Sequence, residues 1–444
     1  MQGKEKMQTD GVLSRQAVFV RCCPRNKESV MHMTGSSNTS RYEREYLETL
    51  DRIRPACRIL PELQYFLDTE YTWAQHQAKP EIVILGTAVP EELVLAAGAM
   101  PYWLTGGSLI STEWSDDEVP RDTDPVSRSI LGHIHQPDGT DFSDALFLIP
   151  LTGDSMRKIA YQLKAEGRRL CLADIPPDRN APGAAARWQR QMLEMTRTVA
   201  EHTGNRVTRG ALLAAMQQVT GARRALTAFL HAAQDRPDLL PEPARLLVQD
   251  SYYRTYRLEE WTFRLQVLTE RIRLLSRQTP GGNCPPGVLL LGSPVVFPNY
   301  KIPFLIRDAG LHLTDTVDSA ALKRHLLYKT FHGSRDRLIR QIAAAWYAHD
   351  ASPAFVRNDA MLEYLAKLAE NREIEGVVYH VLKGQIEQDF ELERAEALLA
   401  LHGIPVFRLE TDYQYQDIEQ LRIRLEAFSE MLTQNRFKEV KTAI

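Results

Sequence analysis

What the chain has little of answers the first questions. Its 444 residues include five cysteines, Cys22, Cys23, Cys57, Cys171 and Cys284, and none of them form a CxxC pair. An odd, scattered set does not make a disulfide framework. Cys171 lies in the apolar run Leu170-Cys171-Leu172 and is expected to be a buried thiol acting as a small hydrophobe. Charge of one sign is also missing: 54 Lys and Arg face 57 Asp and Glu, a formal net charge of −3. Nucleic-acid binders carry a basic surplus, so that partner class is disfavoured. No apolar run approaches the roughly 20 residues of a membrane-spanning helix. The best runs, Ala145 to Leu151 and Val288 to Leu291, are strand-sized. The leader, residues 1–38, lacks the apolar core of a secretory signal, because Ala17-Val18-Phe19-Val20 is too short. These absences predict a cytoplasmic protein without membrane or nucleic-acid partners. Its leader reads as a disordered tail, and Met31 or Met33 would serve equally well as the start.

What is present is ordinary for a globular chain: 44% hydrophobic, 25% charged and 8% aromatic residues. Its length suits two to three domains. A helical stretch from Arg41 to Gln75 is predicted to break at Pro55 and Pro61. From Ile82 the pattern changes. Ile82 to Leu85 is a continuous apolar run, as expected of a parallel strand covered on both faces. Pro90-Glu91-Glu92-Leu93 opens a helix that ends at Gly98, and Pro101 to Leu104 is the next strand. The grammar repeats with strand Leu146 to Ile149, a helix from Met156 to Ala165 capped by Asp154 or Ser155, and strand Leu170 to Ala173. Between them, polar Ser111 to Asp141 reads as a functional loop with a short helix from Val126 to His133.

From Ala184 the chain is helical for nearly a hundred residues. Leu212, Met216, Val219, Leu226 and Leu230 mark one amphipathic helix, and Trp261, Leu265, Leu268, Ile272 and Leu275 another. Arg223, Arg224, Arg271 and Arg273 fall between these positions and are expected to be solvated. Gln278 to Asn283 marks a boundary. Strands then return at Val288 to Leu291, Val377 to Leu382 and Ile404 to Leu409, with helices at Ile302 to Ala309, Glu391 to Leu401 and from Ile418 onward. The prediction is an α/β protein with two parallel-sheet, Rossmann- or flavodoxin-like domains, 39–185 and 281–444, joined by a helical segment, 186–280. Ligands of open parallel sheets bind beyond the carboxyl ends of the strands. The loops after Leu85, Ile149, Leu291, Leu382 and Leu409 are therefore expected to face one cleft.

Those loops hold no P-loop, no GxGxxG and no GxSxG elbow. They offer Thr87 and Glu92, then Asp154, Ser155 and Arg157, then Tyr300 and Lys301, then Lys383. Each also has a plainer reading. Glu92 suits the first turn of any helix, Asp154-Ser155 is a capping pair, and Lys301 could simply be solvated. His133 and His135 have no acidic third ligand at helical spacing, which argues against zinc.

The order of these segments is more specific. Pro90-Glu91-Glu92-Leu93 with Ala97-Gly98, Asp154-Ser155-Met156-Arg157, Gly292-Ser293-Pro294, Tyr300-Lys301-Ile302-Pro303, Leu382-Lys383 and Leu409-Glu410-Thr411-Asp412-Tyr413 with Gln420-Leu421-Arg422 follow one another between about residues 40 and 435. In this the chain resembles the 2-hydroxyacyl-CoA dehydratase D-component family, which also contains benzoyl-CoA reductase subunits. The resemblance implies an acyl-CoA substrate in a cleft between two α/β domains and a homologous subunit as partner in a hetero- or homodimer. It also implies a 4Fe–4S cluster and an ATP-dependent activator. Glu92 and Ser155 are then the candidate catalytic residues. Thr87, Asp154, Arg157, Tyr300, Lys301 and Lys383 are the candidates for substrate binding. Clusters need thiolates, yet the positions where the family carries its cluster cysteines hold Asp124, Gly153 and Gln385. No cofactor is therefore expected on this chain, and a cluster is expected in a partner subunit. The alternative is a catalytically silent scaffold or regulatory relative; a cluster-free lyase or hydrolase is a third reading, because fold does not fix chemistry.

Overall fold

The alternation of apolar strands with amphipathic helices builds two parallel sheets. The computed structural model describes residues 39–75, 79–137, 139–234, 236–278, 285–328, 331–370 and 374–442. The leader, with Cys22 and Cys23, lies outside the described residues, as do Cys284 and most of the 278–283 boundary.

Helix α1 (Arg41–Ile53) is followed by short 3-10 turns at Pro55 and Pro61 and then α2 (Gln64–Gln75). The first sheet arises from β1 (Ile82–Leu85), α3 (Glu91–Ala96), β2 (Pro101–Leu104), α4 (Leu109–Glu113), α5 (Pro125–Ile134), β3 (Leu146–Pro150), α6 (Asp154–Ala165) and β4 (Arg169–Ala173). Four helices follow: α7 (Ala184–Thr203), α8 (Arg209–Ala233), α9 (Glu242–Asp250) and α10 (Leu258–Gln278). The second sheet uses β5 (Gly287–Gly292), α11 (Lys301–Asp308), β6 (His312–Val317), α12 (Ala321–Arg324), α13 (Arg335–Ala348), α14 (Asp359–Ala369), β7 (Gly376–Leu382), α15 (Glu387–Leu401) and β8 (Val406–Thr411), closed by α16 (Ile418–Thr442). Among the described residues no helix is long and apolar enough to cross a membrane.

Both sheets are four-stranded and wholly parallel, in the orders β2-β1-β3-β4 and β6-β5-β7-β8. The two orders are the same pattern used twice. β1, β3, β5 and β7 are the inner strands, and every residue of each is buried. One apolar cluster joins Val83 and Phe147 of the first sheet to Val288 and Val378 of the second through Val219, Leu226 and Leu268 of the helical segment. Burial of apolar surface thus crosses from sheet to sheet, and it is the main favourable term in holding them together.

Three expectations need correction here, and one strand was not expected. Helix α6 starts at Asp154, and its N-cap is Gly153 with no side-chain cap, so neither Asp154 nor Ser155 caps it. Cys171 is half-buried on the edge strand β4, where Leu172 faces solvent. Its thiol, pushed up to about 11 by burial, is a poor nucleophile. Arg223 is not solvated; it is 4% exposed. Finally, β6 carries polar residues that hid it in the sequence. His312 Nδ1 lies 2.6 Å from Glu242 Oε1, Thr314 Oγ1 donates to Val288 O, and Thr316 Oγ1 accepts from Arg324, so the polar side chains of a buried strand are paired.

Candidate functional site

Chain order reverses between β1 and β3 and again between β5 and β7, and ligands of such sheets collect at these switch points. A cavity of ≈ 840 Å³, measured out to its open mouth, lies beside the carboxyl ends of both sheets. The first sheet contributes Thr87, Glu91 and Trp103; the second contributes Ser293, Thr316 and Asp318. The helical segment closes it with Arg223, Gln249, Asp250, Tyr252 and Tyr253. Leu226, Leu246, Leu290 and Val295 give it an apolar floor. Its lining, mostly apolar with a few convergent polar groups, is the kind that small organic ligands use.

Pro90 sits at the N-cap of α3, which places Glu91 and Glu92 in the first turn. Neighbouring helical residues diverge by about 100°, and the two carboxylates have different fates. Glu92 is 0% exposed. Its Oε1 accepts from the Tyr328 hydroxyl at 2.7 Å and pairs with Arg223 at 3.2 Å, and its Oε2 accepts from Trp346 Nε1 at 3.0 Å. It does not line the cavity. Glu91 does, although it is only 3% exposed. Its Oε1 accepts from the Tyr252 hydroxyl at 2.6 Å and Arg223 at 2.8 Å, while its Oε2 meets no donor among the described residues. Burial raises the Glu91 carboxyl above the usual carboxylate range, and Arg223 opposes that rise. One guanidinium thus holds two buried acids.

The helical spacing itself marks Arg223. Leu212, Met216, Val219, Arg223, Leu226 and Leu230 step by 4, 3, 4, 3 and 4, so Arg223 lies on the buried stripe of α8 rather than between its members. A charged residue in register with an apolar face points to a buried partner. Nothing local marked Asp250, whose Oδ2 accepts from Phe297 N at 3.0 Å and the Tyr300 hydroxyl at 2.7 Å. Burial pushes it up to about 6.

The other sequence-derived candidates are placed as follows. Thr87 lines the cavity. Tyr300 stands behind the wall, donating to Asp250. Lys301 is buried, and its ammonium reaches Thr411 Oγ1, Asp412 O, Gln414 O and Asp417 Oδ1 within 2.9 Å. It therefore secures the loop after β8 and is not solvated. Lys383 is exposed and donates to Asp412 at 2.9 Å. Arg157 pairs with Asp174 across the surface. Asp154 is exposed and Ser155 half-buried in the first turn of α6, outside the cavity lining. His133 is buried between the hydroxyls of Tyr42 and Tyr102 and held down to about 3 by burial. His135 does gain acidic neighbours through the fold, Glu118 at 2.8 Å and Glu166 at 3.2 Å, one on each ring nitrogen.

Asp124 and Gln385 are brought together, and Gly153 lies beside Glu387, two residues beyond Gln385. Asp124 caps α5, accepting from Val126 N, Ser127 N and Ser127 Oγ. Gln385 Nε2 donates to Asp124 Oδ1 at 2.8 Å, and Ser293 Oγ donates to Gln385 Oε1 at 2.6 Å. A Cβ on Gly153 would lie 3.3 Å from Glu387 Oε1. Next to Gln385, Gly384 has φ +87° and passes so close that a Cβ would sit 2.7 Å from Asp124 N.

Two parallel sheets of the same strand order, with a cavity lined by acids and aromatic rings at their carboxyl ends, define an α/β protein. Residues 87–432 match the family of the 2-hydroxyglutaryl-CoA dehydratase D-component, and the chain belongs to that family. It is 26% identical over 349 residues to a putative dehydratase subunit, YjiM, of Escherichia coli (strain K12), covering 78% of this chain and 90% of that protein. It is 23% identical over 367 residues to the beta subunit of (R)-2-hydroxyglutaryl-CoA dehydratase of Acidaminococcus fermentans, covering 80% and 93%. Similarity to the beta subunit of (R)-phenyllactyl-CoA dehydratase of Clostridium sporogenes is 21% over 350 residues, covering 77% and 89%.

The donor set does not fit the cluster that the resemblance implies. Asp124 has both oxygens engaged, Gly153 has no side chain, and Gln385 is an amide bonded at both ends. Thiolates hold iron in such clusters, and these positions have none. A hydrogen-bonded bridge between the two sheets occupies this place instead.

Proposed function

We propose that the chain is the cluster-free subunit of a cytoplasmic, dehydratase-type heteromer, and that it binds an acyl-CoA thioester with the acyl group in the cavity. The homologous partner carries the 4Fe–4S cluster and receives electrons from an ATP-dependent activator. The observation that carries this reading is the cavity itself: an apolar floor and a buried acid at the carboxyl ends of both sheets, in a chain of this family. Of the adjacent acids, Glu91 rather than Glu92 is the group available to exchange a proton with a bound acyl chain, because only Glu91 lines the cavity with an unbonded oxygen. Thr87 supports the thioester end. Lys383, exposed beyond β7, meets a phosphate of CoA by exchanging its Asp412 partner. Ser155, Asp154 and Arg157 lie outside the lining and are assigned to the approach surface.

The Asp124–Gln385–Ser293 bridge favours a second reading, a silent scaffold, since it ties the cleft together without chemistry. One experiment separates the two. The full chain is purified without oxygen, with any co-eluting subunit, and iron, acid-labile sulfide and acyl-CoA binding are measured. The expected result is no stoichiometric iron on this chain, about four irons per copy on a partner, and thioester binding. About four irons per copy on this chain alone would overturn the ligand argument. No partner and no thioester binding would establish the scaffold.

A further inference from the structure

Beside the cavity, two buried acids depend on a single cation. Arg223 meets Glu91 Oε1 at 2.8 Å and Glu92 Oε1 at 3.2 Å, and none of the three residues is more than 4% exposed. Buried charge without a counter-ion is costly, and a group so placed gives up its charge instead. Two carboxylates on one guanidinium would leave one such charge, so the pair is built to keep a proton.

The donors decide which acid keeps it. Glu92 accepts from the Tyr328 hydroxyl on Oε1 and from Trp346 Nε1 on Oε2, and Arg223 pairs with its Oε1. Donors favour the ionised form of a carboxyl, and both oxygens of Glu92 have one. Glu91 accepts from the Tyr252 hydroxyl and Arg223 on Oε1 alone, and its Oε2 has no donor among the described residues. A proton on that oxygen displaces no hydrogen bond of the cluster. Burial raises the Glu91 carboxyl to about 7, with Arg223 opposing and Glu92 adding to the rise. The other titratable groups lining the cavity are matched or act in the same sense. Lys323 lies 3.3 Å from Asp350, and Arg324 is bonded to Gln249 and Thr316 within electrostatic reach of Asp318. Burial keeps the Tyr253 phenol protonated. Asp250 and Asp318 are acids, and further negative charge favours the proton.

We infer that Glu91 faces the cavity as a carboxylic acid with its proton on Oε2, and that Glu92 is the positioning residue that keeps it so by taking up Arg223. Passing that proton to an oxygen of a bound ligand leaves a carboxylate that Arg223 and Tyr252 already hold on Oε1. Glu91 is then an acid toward its ligand and not a base. The placement of the proton needs no ligand; its use rests on the acyl-CoA reading above.

The test is infrared difference spectroscopy of the full chain across about pH 5 to 9, reading the C=O stretch of protonated carboxyl groups. The expected result is a component of that band, absent from Glu91→Gln, with a midpoint of about 7. In Glu92→Gln, which leaves Arg223 to Glu91 alone, that midpoint should fall by at least about one unit, a tenfold change in the equilibrium. Where Glu92→Gln does not fold, Tyr328→Phe removes one donor from Glu92, and part of the proton should move there as a second carboxyl band. The absence of a Glu91-dependent band overturns the inference. An unshifted midpoint in Glu92→Gln, or no second band in Tyr328→Phe, overturns the role of Glu92. Heptanoyl-CoA is then added. A shift of the Glu91 band to lower frequency on binding shows the acid bonded to the ligand. Binding that leaves the band in place overturns its use as an acid and leaves the acyl-CoA reading standing. No binding overturns the acyl-CoA reading alone, because the titration is made without ligand.

Discussion

Single buried acids show how little a residue's identity says about its state. Glu91, Glu92 and Glu70 are all essentially inaccessible, yet Glu92 is satisfied by three donors, Glu91 by two on one oxygen, and Glu70 by none. Both oxygens of Glu70 lack a hydrogen-bond donor, and the nearest cation is Arg254 Nε at 3.7 Å, itself stacked 3.8 Å over Trp73. Burial pushes the Glu70 carboxyl up to about 8, with Arg254 opposing. The native state therefore holds a proton that the unfolded chain releases near its ordinary value of 4.5. Folding stability attributable to Glu70 is greatest at low pH, falls as pH rises through 4.5 to about 8, and is level above that. Replacing Glu70 with Gln should remove up to about 1.4 kcal/mol per pH unit from the slope of stability between pH 5.5 and 8. Urea unfolding of both proteins across that range measures it, and an unchanged slope would mean that Glu70 ionises normally.

At the scale of elements, close approaches between helices and loops are made by residues with no side chain. Gly132 of α5 lies against α4 so tightly that a Cβ would fall 1.7 Å from Ser111 O. Gly221, in the middle of α8, has nothing within 4 Å of the same position. The two glycines thus predict opposite outcomes for one substitution. Gly132→Ala must push α4 and α5 apart and should cost more than about 2 kcal/mol by denaturant titration. Gly221→Ala relieves the helix of a flexible residue and should stabilise by roughly 0.5–1 kcal/mol. Because Asp124 caps α5 and also bonds Gln385, displacement of that helix would disturb the bridge between the sheets as well.

For the whole molecule, the question is how two sheets of identical strand order act as one. The apolar cluster that runs through both provides most of the connection. Ser293, Gln385 and Asp124 add a polar bridge at the cleft, with Leu382 N donating to Ser293 Oγ. Cutting the bridge with Gln385→Ala should cost about 1–2 kcal/mol, the scale of a pair of partly buried hydrogen bonds. Tryptophan fluorescence and far-UV circular dichroism should still report a single coincident transition in urea. Two separated transitions in the variant would assign the coupling of the sheets to the bridge and not to the shared core.

The sequence by itself determined the α/β class, nearly all the strands and the breaks at Pro55 and Pro61, because apolar periodicity and turn chemistry act over a few residues. The order of short motifs was enough to indicate the family. Local reading failed where polar side chains are buried in pairs: β6, with His312 and Thr314 satisfied by distant partners, and Arg223, which sits in register with an apolar stripe. Only tertiary structure decided which of two adjacent glutamates lines the cavity, and that Lys301 serves the C-terminal loop. It also placed Asp250 and Asp318, 68 residues apart, on one wall. The physical reason is the range of the forces involved. Helices and strands follow from neighbours along the chain, whereas the state of a buried charge follows from whichever groups the fold brings to it.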